Sequence, residues 1–148
     1  MPADLCGKRI IITGAATGIG RATTLRVSAA GAKVAAFDVN DADGSATIAK
    51  VNEAGGDARY WHVDVRDETA VSGAVAASET WLGGVDVLIH VAGVLQGAAI
   101  ELDEFPEEMW DTVLDINLRG SFIICKYITG VMKKQNKGVI ILTASGAG

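Results

Sequence analysis

A glycine-rich turn between an apolar run and an alanine-rich segment constrains this chain more than any other feature. The run Arg9–Thr13 is followed by glycines at positions 14, 18 and 20, in the spacing Gly-x-x-x-Gly-x-Gly. Such a turn lets the backbone approach a ligand closely, and the N–H groups that open the following helix attract negative charge. The order of strand, glycine turn and helix therefore predicts a loop that binds the phosphates of a dinucleotide.

The predicted loop consists of Gly14, Thr17, Gly18, Ile19 and Gly20. The glycines leave room for the ligand because they carry no Cβ. The side chain of Ile19 is expected to pack against the protein, and that of Thr17 has a polar role that the sequence does not assign.

Composition sets the broad class of the protein. The 148 residues are 49% hydrophobic and 21% charged, which is typical of a globular domain with a real core. The net charge of −5, without a basic run, argues against nucleic acid or an anionic membrane as a partner. Cys6 and Cys125 lie far apart and in no metal-ligand spacing, so we expect reduced thiols, no metal site and a cytoplasmic location.

Short apolar runs alternate with helical stretches along the whole chain. The predicted strands are Arg9–Thr13, Lys33–Phe37, Arg59–Val63, Val85–Val91 and Gly138–Leu142, and the predicted helices are Gly18–Ala30, Asp41–Ala54, Asp67–Leu82 and Pro106–Lys134. Five strands separated by helices predict an α/β fold, a Rossmann-type doubly wound parallel sheet. We expect one domain over residues 1–148 that is truncated after the fifth strand.

Polar residues that follow the strands are the candidates for ligand binding, because ligands bind beyond the carboxyl ends of parallel strands. Asp38 ends the second strand, 18 residues after Gly20. A carboxylate there accepts both ribose hydroxyls of an adenosine and repels a 2′-phosphate, so Asp38 favours NAD over NADP. Helix capping is the alternative role, but Asn40 and Asp41 are better placed for it.

Asp64 and Val65 follow the third strand. We expect the Asp64 carboxylate to accept a hydrogen bond from the adenine amino group, with the backbone of Val65 beside the base. Asp67 is the simpler candidate for the cap of the next helix.

Taken together, these residues resemble the classical short-chain dehydrogenase/reductase family over essentially the whole chain. The resemblance rests on Thr13–Gly20, Asp38, Asp64-Val65, Ala92-Gly93, Asn117 and the strand that leads to Ser145. It implies an NAD-dependent oxidoreductase that transfers hydride between a nicotinamide and a secondary alcohol or ketone. Ala92 and Gly93 would then contact the cofactor ribose.

The sequence departs from the family pattern before Ala92, where His90-Val91 stands in place of two asparagines. We expect His90 to be a packed or hydrogen-bonded residue rather than a proton carrier. The resemblance implies that Asn117 holds a helix kink and a water that leads to the catalytic lysine; a buried structural asparagine is the alternative.

Ser145 corresponds to the family's catalytic serine, which donates a hydrogen bond to the substrate oxygen; an ordinary loop serine is the alternative. The family's Tyr-x-x-x-Lys segment is expected shortly beyond Gly148. The 148-residue portion is therefore expected to be inactive alone.

Two other functions remain open at the level of sequence. One is a non-catalytic dinucleotide-binding module or sensor, and the other is a methyltransferase-like nucleoside binder, against which the glycine spacing argues. The family resemblance also implies a homodimer or homotetramer, in which Phe122, Ile123, Ile124 and Tyr127 of the long helix are candidate contacts; core packing explains some of them equally well. The stretch from Leu95 to Leu102 is expected to line the pocket for a small alcohol or ketone.

Overall fold

Residues 4–145 are described by a computed structural model of five strands with intervening helices. The strands are β1 (Arg9–Thr13), β2 (Lys33–Asp38), β3 (Asp57–His62), β4 (Val87–His90) and β5 (Val139–Leu142). The helices are α1 (Gly18–Ala29), α2 (Asp41–Glu53), α3 (Glu68–Leu82), α4 (Glu107–Leu114) and α5 (Gly120–Gln135), with a 3-10 turn at Leu102–Glu104 and a π-helical turn at Asp115–Arg119.

All five strands run parallel, in the order β3-β2-β1-β4-β5. This order confirms the predicted Rossmann-type doubly wound sheet. In the ladder, Thr13 pairs with both Phe37 and His90, so the carboxyl ends of β1, β2 and β4 lie side by side. The predicted bounds of β3 and β4 differ from the observed ones by up to two residues. The ladder of β3 begins earlier, at Asp57, and Val63 and Val85 are buried although they lie outside the ladders of β3 and β4.

Side-chain caps begin two of the three helices that connect the first four strands. Asn40 accepts a hydrogen bond from the Asp43 N–H at the start of α2. Asp67 accepts from Thr69 and Ala70 at the start of α3. Both predicted caps are confirmed, and α1 has no such cap.

Apolar side chains pack on both faces of the sheet. On one face, Ile11, Phe37 and Leu88 form a core with α3 and α5. On the other, Ile10, Ile12 and Val34 pack with residues of α2 and partly buried residues of α1. The central strands β1 and β2 are therefore covered on both faces.

The suggested oligomer contacts on α5 divide between core and surface. Ile123 and Ile124 are 3% and 0% exposed and belong to the core, so the alternative of core packing is confirmed for these two residues. They point towards the sheet because α3 and α5 cover the same face. Phe122 is exposed, and the Tyr127 hydroxyl donates to Glu68.

The long helix predicted over Pro106–Lys134 is interrupted. It consists of α4, one π-helical turn over Asp115–Arg119, and α5. A π turn widens the helix locally, and it occurs here at Asn117, where the family resemblance implied a kink. The amide of this residue bonds the backbone of Val94 in a neighbouring loop.

Residues 4–145 contain no helix that is both long and apolar enough to cross a membrane. The same residues include no group of three His, Cys, Asp or Glu side chains that would hold a metal ion. Cys6 and Cys125 are free thiols.

An ion pair joins the amino ends of β1 and β4. Arg9 donates from Nε and Nη2 to the two carboxylate oxygens of Asp86, at 2.8 Å each. Both side chains are partly buried. These hydrogen bonds hold the pKa of Asp86 far below its usual range.

We predict that Asp86→Asn destabilises the protein by about 1–3 kcal/mol, because a partly buried guanidinium loses its charged partner. Since the folded pKa of Asp86 lies below its unfolded value, the stability it contributes is present above about pH 4 and is lost as the pH falls. Urea unfolding at pH 7 and pH 3 measures both effects. The exposed Asp103→Asn serves as the control, and equal stability of the two variants at pH 7 would contradict the prediction.

Candidate functional site

A cavity of about 500 Å³ lies over the carboxyl ends of β1, β2, β3 and β4. Every residue predicted to bind a cofactor lines it: Gly14, Thr17, Gly18, Ile19, Gly20, Asp38, Asp64, Val65, Ala92 and Gly93. The wall also includes Val39, Arg66 and Ile116, which the sequence analysis did not select. Asn117 and Ser145 are not among the described residues that line it.

The amino end of α1 opens on this cavity without a cap. Its N-cap residue, Thr17, makes no side-chain capping bond, and the first turn carries no acidic residue. In contrast, both α2 and α3 have a capping side chain and first-turn carboxylates. The first N–H groups of α1 therefore remain as donors for an anion, favoured by the positive end of the helix dipole.

Two glycines make this approach possible. A Cβ on Gly20 would overlap the carbonyl oxygen of Gly14, which is main chain and cannot move aside cheaply. Gly14 itself has a φ of +66°, and a Cβ there would lie 2.8 Å from the amide nitrogen of Ala92. The turn is thus folded tightly against the segment that follows β4.

Ile19 does not pack as predicted. Its side chain is 67% exposed and lies at the cavity. The prediction was wrong because Ile19 lies in the first turn of α1, where its side chain faces the cavity instead of the core.

The Asp38 carboxylate faces the cavity from the end of β2. One of its oxygens accepts from the N–H of Ala16 at 2.9 Å, and the other accepts from the N–H of Asn40 at 3.0 Å. The first bond ties the carboxylate to the glycine turn. Each oxygen keeps acceptor capacity for a ligand hydroxyl.

Arg66 is the functional candidate that the sequence reasoning missed. Its side chain pairs with Asp64, with an Nη2–Oδ2 distance of 2.6 Å. Hydrogen bonds from Arg66 lower the pKa of Asp64, and those to Asp64 raise the pKa of Arg66. The sequence signal that could have identified Arg66 is its position two residues after Asp64, a carboxylate that follows a predicted strand.

Thr13 and His90 meet beneath the cavity. The Thr13 hydroxyl oxygen accepts from the N–H groups of Val91 and Ala92, both at 3.2 Å, and lies 2.6 Å from His90 Nδ1. Because both lone pairs of the hydroxyl oxygen are engaged, the hydroxyl donates a hydrogen bond to Nδ1. His90 is therefore the neutral tautomer protonated on Nε2, and it is hydrogen-bonded and buried as predicted.

Asn117 holds the far end of the same segment. Its Oδ1 accepts from the Val94 N–H and its Nδ2 donates to the Val94 carbonyl, both at 2.8 Å. The side chain is exposed rather than buried, and both of these bonds of its amide go to main-chain groups. Ser145 lies beyond β5, which pairs with β4.

Sequence comparison decides the family. The sequence model for short chain dehydrogenases matches residues 8–148. The chain belongs to the short-chain dehydrogenase family. This result confirms the resemblance drawn from the sequence motifs.

Curated relatives of this short-chain dehydrogenase include a 2,5-dichloro-2,5-cyclohexadiene-1,4-diol dehydrogenase from Sphingobium indicum, 40% identical over 98% of the chain and 57% of the relative. A (+)-borneol dehydrogenase 1 from Salvia officinalis is 36% identical over 94% of the chain and 52% of its own length. The structure of an NAD+-bound xylitol dehydrogenase superposes with a TM-score of 0.94 at 37% identity, over 99% of this chain and 56% of the other. The chain thus spans little more than half the length of these proteins.

Within this short-chain dehydrogenase, His90 is an ionisable group buried in the centre of the site. It is 2% exposed, and its Nε2 has no hydrogen-bond partner among the described residues. Burial lowers the pKa of His90 to about 4. Protonation of Nδ1 would also remove the acceptor of the hydrogen bond from the Thr13 hydroxyl.

We predict that His90 makes the protein less stable as the pH falls from about 6.5 to about 4. The folded pKa lies below the unfolded value, so the unfolded state binds more protons in this window and stability increases with pH. The loss attributable to His90 is on the order of 2 to 3 kcal/mol at pH 4.

The measurement is the free energy of unfolding of the wild type and of His90→Asn at half-unit intervals between pH 4 and pH 8. The variant does not titrate, so its curve is flatter by that amount across the window. Parallel curves for the two proteins would contradict the prediction.

Proposed function

We propose that this protein binds NAD and transfers hydride between the nicotinamide and a secondary alcohol or ketone. One observation carries the proposal: the uncapped, glycine-lined amino end of α1 opens on the same cavity as the Asp38 carboxylate. A dinucleotide needs donors for its pyrophosphate and acceptors for its ribose. Both are present within one cavity.

The described residues divide between the parts of the cofactor. The glycine turn, with Gly14, Thr17, Gly18, Ile19 and Gly20, would hold the pyrophosphate. Asp38 would accept the hydroxyls of the adenosine ribose, Asp64 and Val65 would border the adenine, and Ala92 and Gly93 would contact the second ribose. When bound, the nicotinamide supplies the hydride acceptor or donor.

The names of similar proteins support the substrate class. They refer to a diol, to borneol and to xylitol, all of which are alcohols. The xylitol dehydrogenase structure has NAD+ bound, which supports the choice of cofactor. For this chain we propose a small alcohol or ketone, with Leu95–Leu102 on the substrate side.

Two further residues would act on the substrate and its proton. Ser145 would donate a hydrogen bond to the reacting oxygen, and Asn117 would organise the proton relay. The general acid would be a tyrosine of the expected Tyr-x-x-x-Lys segment, whose pKa is lowered by the lysine.

We also propose a homodimer or homotetramer in the cytoplasm. Leu114, Leu118 and Phe122 are exposed apolar side chains at intervals of four residues around the π turn. Such a stripe on one side of a helix favours association with another surface. The two free thiols are typical of a reducing compartment.

We predict that Gly20→Ala weakens NADH binding at least about a hundredfold, because the new Cβ forces apart the turn that cradles the pyrophosphate. Gly73→Ala is the matched control: it changes a glycine in α3 whose Cβ would meet nothing within 4 Å. Isothermal calorimetry with NADH measures both, and circular dichroism checks that each variant is folded.

Turnover is measured beside binding, with NAD and a panel of secondary alcohols, on the full-length protein that carries this sequence. Binding and turnover together support the proposal. Binding without turnover supports a non-catalytic module or sensor instead, and tight S-adenosylmethionine binding without NADH binding would contradict both.

We predict that the wild type binds NADH at least about tenfold more tightly than NADPH, because the Asp38 carboxylate repels a 2′-phosphate. Asp38→Ala should weaken NADH binding and reduce the NADH preference to less than about threefold. Fluorescence titration with both cofactors gives the ratio. Glu53→Ala removes an exposed carboxylate from the far end of α2 and should leave the ratio unchanged; an equal shift in both variants would argue against a role for Asp38.

A further inference from the structure

Tyr60 of β3 holds the turn that carries Asp38, although it is not among the described residues that line the cavity. Its hydroxyl oxygen lies 2.7 Å from the carbonyl oxygen of Asp38 and 2.9 Å from Oδ1 of Asp41. Both partners are acceptors, so the hydroxyl donates and shares one proton between them. Because β2 ends at Asp38 and α2 begins at Asp41, these contacts join β3 to both ends of the turn.

The Tyr60 hydroxyl remains a donor at neutral pH. The side chain is partly buried and packs against the core on the α2 side of the sheet. Burial and the hydrogen bond to the Asp41 carboxylate raise the pKa of Tyr60 well above its usual value. The phenol therefore keeps the proton that it donates to the turn.

Helix α2 makes room for the Tyr60 ring at a buried glycine. A Cβ on Gly44 would overlap carbon atoms of the ring. Glycine inside a helix costs about 0.5–1 kcal/mol relative to alanine. The close approach of the ring gives a physical reason for a residue that a helix otherwise disfavours.

Asp38 is held on its main chain as well as on its side chain. Its carbonyl oxygen also accepts from the N–H of Val63 at 2.9 Å, so two donors from β3 and its end fix this peptide group. The orientation of the carboxylate depends on the main chain that carries it. Hydrogen bonds to a ligand hydroxyl weaken steeply when their geometry is poor, so this orientation matters for binding.

We propose that Tyr60 is a positioning residue for cofactor recognition: it keeps the Asp38 carboxylate in the orientation that accepts the 2′-hydroxyl of the adenosine ribose. The inference rests on the proposed NAD function. Tyr60 acts through Asp38 and does not itself contact the cofactor. Loss of its hydroxyl therefore weakens recognition of the ribose hydroxyl and leaves the rest of the cofactor site in place.

The test compares NADH with the analogue that lacks the 2′-hydroxyl of the adenosine ribose, by fluorescence titration of the full-length protein. In the wild type the analogue should bind at least about tenfold more weakly, because it loses a hydrogen bond to a charged acceptor. Tyr60→Phe keeps the ring and removes the hydroxyl. NADH should then lose affinity while the analogue does not, so the ratio of the two dissociation constants should fall at least about threefold.

Two further variants separate positioning from packing. Tyr127→Phe is the matched control, since it removes a hydroxyl that donates to Glu68 of α3, and it should keep the wild-type ratio. Gly44→Ala displaces the Tyr60 ring and should lower the ratio as Tyr60→Phe does. It carries the test if Tyr60→Phe does not fold.

Two more comparisons support these variants. Gly73→Ala, whose Cβ would meet nothing within 4 Å, is the control for Gly44→Ala and should keep the wild-type ratio. In an Asp38→Ala background, Tyr60→Phe should change NADH binding less than about twofold, because the residue through which it acts is absent.

Equal weakening of NADH and the analogue in Tyr60→Phe, or no weakening of either, would overturn the inference while leaving NAD binding intact. A wild type that binds both cofactors equally well would overturn it too, since there would be no recognition of the hydroxyl to position. A wild type that binds neither would overturn the proposed function itself. Thermal melting of each variant shows that a change in ratio does not come from unfolding.

Discussion

The hydroxyl of Thr13 is the interaction on which the site depends. It accepts hydrogen bonds from Val91 and Ala92 and donates to His90, so one buried oxygen joins the end of β1 to the segment that follows β4. Gly14 follows directly and lies against Ala92. Because two neighbouring strands share this anchor, the glycine turn and the opposite cavity wall keep a fixed distance from each other.

Two carboxylates extend this framework, and they do so differently. The Asp38 carboxylate accepts a hydrogen bond from the N–H of Ala16 in the glycine turn, and its oxygens can still accept from a ligand in the cavity. Asp64 accepts hydrogen bonds from the guanidinium of Arg66 at the cavity wall. The same residue type at the ends of adjacent strands therefore has different partners: main-chain N–H groups for Asp38 and a cationic side chain for Asp64.

Much of this arrangement could be predicted from the sequence, since the succession of strands and helices along the chain and the glycine turn follow from local patterns. The apolar periods and caps such as Asn40 and Asp67 depend on residues close in the chain. The bond of Asn117 to Val94, the exposure of Ile19 and the engagement of Asp64 by Arg66 depend on where an element projects or where a side chain turns. The spacing of residues predicts which face of a helix or strand a side chain occupies, but not which distant residue it contacts.

Ile19 and Val39, 67% and 55% exposed, lie at the cavity as apolar side chains in contact with water. A ligand seated between the glycine turn and the end of β2 would cover both and release the water around them. Removing apolar surface from water lowers the heat capacity of a system. The enthalpy of association at this site should therefore become more favourable on warming, even though phosphates and ribose hydroxyls supply most of the polar contacts.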